Sequence, residues 1–153
     1  MGAFEVVRTA TINADPTRVH GLINDFHEWP AWSPWEELDP DMTRTHSGSS
    51  SGVGAKYAWR GNRKAGEGSM EITGSTADSI VVDLHFVKPF KAHNEVEFKL
   101  TPQGSGTQVA WHMRGEQQGL WALVGKIYPM DKMVGKDFEK GLARLKVAAE
   151  AKP

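Results

Sequence analysis

The chain contains no cysteine. That excludes a disulfide framework, a thiolate metal centre and a cysteine nucleophile, and it fits a reducing compartment, so a cytoplasmic location is expected. Net charge is nearly absent as well, because 18 Lys and Arg stand against 19 Asp and Glu for a formal charge of -1. No global field attracts phosphate backbones or anionic lipid, so nucleic acid is not an expected partner. No stretch approaches the roughly 18 apolar residues of a spanning helix, and no membrane span is expected. Met1 to Ile12 lacks the basic patch and uninterrupted apolar run of a signal peptide.

The strong catalytic signatures are missing too. There is no Gly-x-Ser-x-Gly elbow, no phosphate-binding Gly-x-x-x-x-Gly-Lys-Ser/Thr and no His-Glu-x-x-His zinc motif. Gly66-Glu67-Gly68 imitates a phosphate loop, but it lies between expected strands and opens no helix, so it reads as a turn. What the chain has in quantity is large polarizable side chains: six Trp and six Met in 153 residues. Such residues suit irregular apolar surfaces, and the expected partner is a hydrophobic small molecule.

Phe4, Val6, Ala10 and Ile12 alternate with polar neighbours as in a strand with one buried face, and Arg8 falls on that buried side. Asp15 followed by Pro16 marks a helix start, with Val19, Leu22, Ile23 and Phe26 as its apolar stripe. His27 to Pro40 holds three prolines and three tryptophans, Trp29, Trp32 and Trp35, and allows only short helical turns. A strand is expected over Met42 to His46, then a flexible Ser47 to Gly52 loop, the best candidate for a mobile rim. A meander follows: Val53, Ala55, Tyr57 and Trp59, then Met70 and Ile72, then Ile80, Val82, Leu84 and Phe86. Pairing Trp59 with Met70 and Ile72 with Ile80 keeps these residues on one face, with turns at Gly61 to Gly66 and Gly74 to Ser79. Val96, Phe98 and Leu100 oppose Val109, Trp111 and Met113 across the Pro102 to Gly106 turn. Gln118 to Ala149 has helical spacing broken at Pro129, so the part beyond Pro129 forms one amphipathic helix.

This order gives a single α+β domain spanning residues 1–153, with the long C-terminal helix packed on one face of an antiparallel sheet. Specific segments then carry a resemblance. They are Ile12-Asn13-Ala14-Asp15-Pro16 with Val19, Asp25-Phe26 through Trp29-Pro30-Ala31-Trp32-Ser33-Pro34-Trp35, Trp59-Arg60-Gly61-Asn62 with Gly66-Glu67-Gly68, and Met130 through Lys146. The chain resembles the START/Bet v 1-like (SRPBCC) superfamily, in its polyketide cyclase/dehydrase-like branch, over nearly its whole length. The resemblance implies the helix-grip fold, a curved antiparallel sheet wrapped around a long C-terminal helix with two short helices after the first strand, and an internal cavity for lipid-like, hormone or aromatic polyketide ligands; no cofactor is expected.

Candidate site residues follow from parity and from that cavity. Trp32, Trp35, Tyr57, Trp59, Met70, Leu84, Phe98, Trp111, Trp121, Tyr128 and Met133 form the expected ligand wall, each with ordinary core packing as the plain alternative. Trp32 and Trp35 either guard the mouth or plug it. Arg8, Asn94 and Tyr128 are the inward polar groups, and a buried polar atom needs a partner that a ligand or water can supply. Arg8 is suited to orient a ligand carboxylate or stabilise an enolate; the plain alternative is that it pairs with a carboxylate at the core edge or reaches solvent. His85, His93 and His112 share the opposite, outer face. They read as polar surface, although pairing His85 with His93 and Glu95 with His112 would make a shallow metal site; no metal ligands are assigned.

Three functions compete. Binding of a hydrophobic or aromatic molecule needs no catalytic group and comes first. A polyketide cyclase or dehydratase, with Arg8, Asn94 and Tyr128 as its actors, is the alternative, and a protein-interaction module is the third. Either a monomer or a homodimer is expected.

Overall fold

In a computed structural model of the chain, residues 3–36, 38–88, 91–116 and 130–151 are described. The strands are β1 (Ala3–Ile12), β2 (Thr43–Gly48), β3 (Ala55–Arg60), β4 (Glu67–Thr76), β5 (Ser79–Lys88), β6 (Ala92–Gln103) and β7 (Gly106–Glu116). They form one sheet in the order β1-β7-β6-β5-β4-β3-β2, every neighbouring pair antiparallel. The helices are α1 (Pro16–Ile23), a 3-10 helix over Phe26–Ala31, and α2 (Met130–Glu150). This is the helix-grip arrangement that the resemblance implies. Gln118 to Pro129, the first part of the expected helical region, lies outside the described residues.

The short helices form because each end is satisfied locally. The Asp15 carboxylate accepts the Arg18 amide at 3.0 Å, with Pro16 at the first helical position. The Asp25 carboxylate accepts the His27 amide at 2.9 Å and starts the 3-10 helix. At the C-terminal end of α1, two carbonyls that have no partner within the helix receive indole donors instead. Trp29 Nε1 donates to the Ile23 carbonyl and Trp32 Nε1 to the Leu22 carbonyl, both at 2.8 Å. The Trp-rich segment is therefore held to α1 by hydrogen bonds as well as by the burial of its rings.

Helix α2 buries Phe138, Leu142, Leu145 and Ala149, a stripe at helical spacing. It runs along β1 and reaches β7 through Phe138, whose ring stacks on Trp111 at 4.1 Å and 6°. Gly141 permits this approach, since a Cβ there would stand 2.8 Å from Cζ3 of Trp111. Trp29, Trp32, Trp35, Phe98 and Trp111 complete an edge-to-face aromatic cluster, with Trp32 lying 4.6 Å from Trp29 and 5.5 Å from Trp111. That cluster fills the space between sheet and helix at its level. The far end of α2 is tied down by Glu150, which accepts the Asn13 amide at 2.7 Å, and by Arg18, which donates to the Ala148 carbonyl at 3.2 Å.

Parity is as the sequence predicts, but register differs in three places. Tyr57, not Trp59, opposes Met70, and Trp59 opposes Gly68. The reason is steric: the Trp59 ring lies over Gly68, where a Cβ would stand 2.5 Å from Cη2 of Trp59 and equally close to the His85 carbonyl. Ile72 opposes Val82 rather than Ile80, because the turn tightens to Ala77 and Asp78; that turn alone would set Ile72 against Asp83, and a bulge between Ile72 and Gly74 takes up one residue of β4 and returns Ile72 to Val82. Glu95 opposes Arg114 rather than His112, whereas His85 does oppose His93. Val53, expected on the buried face, is 59% exposed. It sits in a turn between Gly52 and Gly54, both at positive φ, so the strand begins only at Ala55. Ser47 and Gly48, expected in the loop, finish β2.

The contact at Gly68 makes a prediction. Gly68→Ala must push Trp59 off β4 or part β4 from β5, an overpacking that costs about 1–3 kcal/mol. Urea unfolding checks it, and an unchanged midpoint would show that the Trp59 ring does not depend on this glycine.

Candidate functional site

Away from the aromatic cluster, the concave face continues over β3, β4, β5 and β6 toward the ends where β3 turns into β4 and β5 into β6. Trp59, Met70 and Phe86 there are only partly buried, packed against the core by one side, and Val134 of α2 is in the same state. Leu84 lies between Met70 and Asn94 in the strand register, and Met113 lies beside Val96. Trp59 is fixed by its Nε1, which donates to the Ala65 carbonyl at 2.9 Å, and by an edge-on contact with Phe86 at 5.9 Å. The result is a rigid apolar wall whose inner ends are buried and whose outer ends are not.

The wall carries few polar groups. Asn94 is buried on its face, and its side-chain amide makes no hydrogen bond with the described residues. An amide in this position is suited to a ligand carbonyl or hydroxyl. Trp111 Nε1 and, on β2, His46 Nε2 are buried nitrogens without a partner among the described residues. Arg8 is engaged otherwise. Its Nε donates to Glu139 of α2 at 2.9 Å and its Nη1 to the Val7 carbonyl at 2.8 Å, while its guanidinium occupies the space a Cβ on Gly135 would need. The core-edge ion pair offered by the sequence as the plain alternative is thus the arrangement observed.

At the β2–β3 side of the wall a second polar set appears. Glu36, mostly buried, accepts Arg44 Nε at 2.8 Å on one carboxylate oxygen and the Tyr57 hydroxyl at 3.0 Å on the other. The Glu36 backbone carbonyl takes Arg44 Nη2 at 3.0 Å. The Tyr57 pKa is pushed well up from the usual phenol range, first by burial and then by the adjacent Glu36 carboxylate. The hydroxyl therefore stays a donor, and the stability it supplies is present below the unfolded tyrosine value and lost as pH rises through the folded one. We expect stability to decline above about pH 10, and Tyr57→Phe to flatten that decline relative to wild type. Denaturation midpoints across the alkaline range measure it; identical slopes for both proteins would contradict it.

Of the expected wall residues, Tyr57, Trp59, Met70 and Leu84 come together here, beside Asn94 of the expected polar set. Trp32, Phe98 and Trp111 are buried within the aromatic cluster, and Trp35 closes its edge, with Nε1 donating to Asp137 at 3.3 Å. Trp121 and Tyr128 lie outside the described residues, as does the side chain of Met133. Glu36 and Arg44 belong to no motif in the sequence. Arg44 shares the inward parity of His46 on β2, and a cation at such a position signals a buried carboxylate partner. A cavity of roughly 190 Å³ lies elsewhere, at the start of β3, lined by Phe26, His27, His46, Ser49 and Lys56 among others. It borders the expected rim, yet its lining is largely polar and its volume falls below the ~300 Å³ of ordinary ligand pockets. The partly buried wall is the better candidate.

The comparisons with known proteins agree with this architecture. Residues 3–150 match the family described as polyketide cyclase / dehydrase and lipid transport. The chain belongs to that family. Among solved structures, a Chromobacterium violaceum protein is similar at 13% identity and a TM-score of 0.70, with 97% of this chain and 98% of that one covered. A major latex-like protein from Panax ginseng is similar at 10% identity and a TM-score of 0.66, covering 97% and 99%. DynU16, a putative protein in the dynemicin biosynthetic locus, is similar at 12% identity and 0.66, covering 96% of this chain and 47% of that one. No curated protein matches the chain. Among the described residues, no helix is long and apolar enough to cross a membrane. The family supports a role in hydrophobic-ligand binding or polyketide processing.

Proposed function

We propose that the chain binds a lipid-like or aromatic polyketide-like molecule against the concave wall of β3 to β6. The observation that carries this reading is the contrast along one sheet face. At the level of Trp111 and Phe138 the sheet and helix are filled by stacked rings, whereas Trp59, Met70 and Phe86 are left half-covered around the Asn94 amide, which has no hydrogen-bond partner among the described residues. Covering such surface with an apolar ligand is favourable at about 25 cal/mol per Å², and a single amide supplies orientation without demanding a charged partner.

Catalysis is the second reading, favoured by the family description and by the biosynthetic locus of DynU16. In it Asn94 would polarise a ligand carbonyl, with Arg8 and Tyr128 as further actors. Glu139 already occupies the guanidinium of Arg8, and Glu36 already accepts two donors, so binding requires less of these residues than proton transfer does. The reading goes with a cytoplasmic protein, monomeric or homodimeric, without a nucleic-acid partner. Titration with a fatty acid and with a planar polycyclic phenol, followed by tryptophan fluorescence, tests it. Saturable quenching by either supports binding; no change with both sinks it.

A further inference from the structure

The outer face of the same hairpin carries a cluster that ligand binding does not use. We propose that Asp83, His85 and His93 form a surface site for a divalent transition-metal ion of the zinc type. Asp83 and His85 are two apart on β5, and so share a face; His93 on β6 is the direct cross-strand partner of His85. Their imidazole rings stack at 4.2 Å and 6°, and both Nε2 atoms turn to one carboxylate: His85 to Asp83 Oδ2 at 3.0 Å, His93 to Oδ1. All three donor atoms fall within 4.8 Å of one another. Side-chain exposures of 34%, 50% and 61% for Asp83, His85 and His93 leave the cluster open to solvent.

Two imidazoles and a carboxylate are the donor set of three-ligand zinc sites that keep a fourth position for water. Nitrogen donors select zinc, copper or nickel over magnesium and calcium, which prefer all-oxygen shells. The surroundings favour a cation. Glu71 and Glu95 flank Asp83 as its cross-strand partners; one strand further out, Lys56 stands opposite Glu71, and Arg114, opposite Glu95, is held by Glu5 at 2.9 Å, Glu95 at 3.1 Å and Glu97 at 3.2 Å. His112, which the sequence grouped with these histidines, instead contacts Glu5 at 3.2 Å and lies outside the cluster. Leu84, Phe86 and Asn94 alternate with these ligands on the opposite face, so the ion would clamp β5 to β6 directly behind the candidate ligand wall.

Zinc alone, added to chelator-stripped full-length protein, is the probe. We expect one ion per chain by calorimetry, a tetrahedral cobalt spectrum on substitution, a rise in melting temperature, and no competition from excess magnesium. Asp83→Asn, His85→Ala and His93→Ala should each lower the affinity by at least about tenfold, and binding should weaken as pH falls, because both imidazoles must be deprotonated to ligate. These positions are exposed, and the imidazole signals of His85 and His93 in the wild-type chain provide a second readout that needs no variant. No saturable binding, equal competition by magnesium, or affinity unchanged in Asp83→Asn and His93→Ala would overturn the site.

Discussion

Replacing Trp32 by alanine is expected to cost about 3–5 kcal/mol of folding stability while leaving ligand affinity per folded molecule nearly unchanged. Trp32 is fully buried, touches Trp29, Phe98 and Trp111, and donates to the Leu22 carbonyl at the end of α1. Alanine would leave a cavity among rings that other indoles hold in place, and it would leave that carbonyl unpaired. Domains of this kind have only about 5–15 kcal/mol in reserve, so the midpoint in urea should fall by a large fraction. A loss under about 1 kcal/mol, with ligand binding abolished instead, would mean that Trp32 lines the site rather than the core.

The second large effect is on binding. Met70 sits half-buried in the middle of the wall, opposite Tyr57 on one side and Leu84 on the other. Met70→Lys keeps the length of the side chain, and lysine can extend its ammonium toward water, so the fold should persist. An apolar ligand, however, would have to strip water from that charge, at a cost of several kcal/mol. We expect affinity to fall by at least about a hundredfold, whereas Met70→Leu, which conserves volume, should stay within about tenfold of wild type. Binding that survives Met70→Lys intact would move the ligand elsewhere, with the polar cavity at His27 and His46 the next place to look.

Much of the architecture was legible in the sequence because the signals were local. Asp15-Pro16 starts α1, alternation defines the strands, and Phe138, Leu142 and Leu145 mark the buried stripe of α2. Register was not legible, since shifts of two residues preserve parity, and only the lack of a Cβ at Gly68 and the bulge after Ile72 distinguish one pairing from another. The site was half legible for the same reason. Parity puts Tyr57, Trp59, Met70, Leu84, Phe98 and Trp111 on one face, but it cannot say which of them α2 and the Trp-rich segment cover. That depends on Phe138 and Trp35 meeting Trp111 at long sequence range. The Glu36–Arg44–Tyr57 set and the placement of Asp83 beside His93 are likewise products of strand pairing.

The most direct test of the ligand wall uses the methionines that border it. With methyl-labelled methionine and a fatty acid or polycyclic phenol as titrant, the Met70 and Met113 methyl signals should shift together and saturate, while Met42, buried beside Gly61 outside the wall, stays in place. Shifts confined to Met42, or none at Met70 and Met113 at any titrant concentration, would contradict a binding surface between β3 and β6.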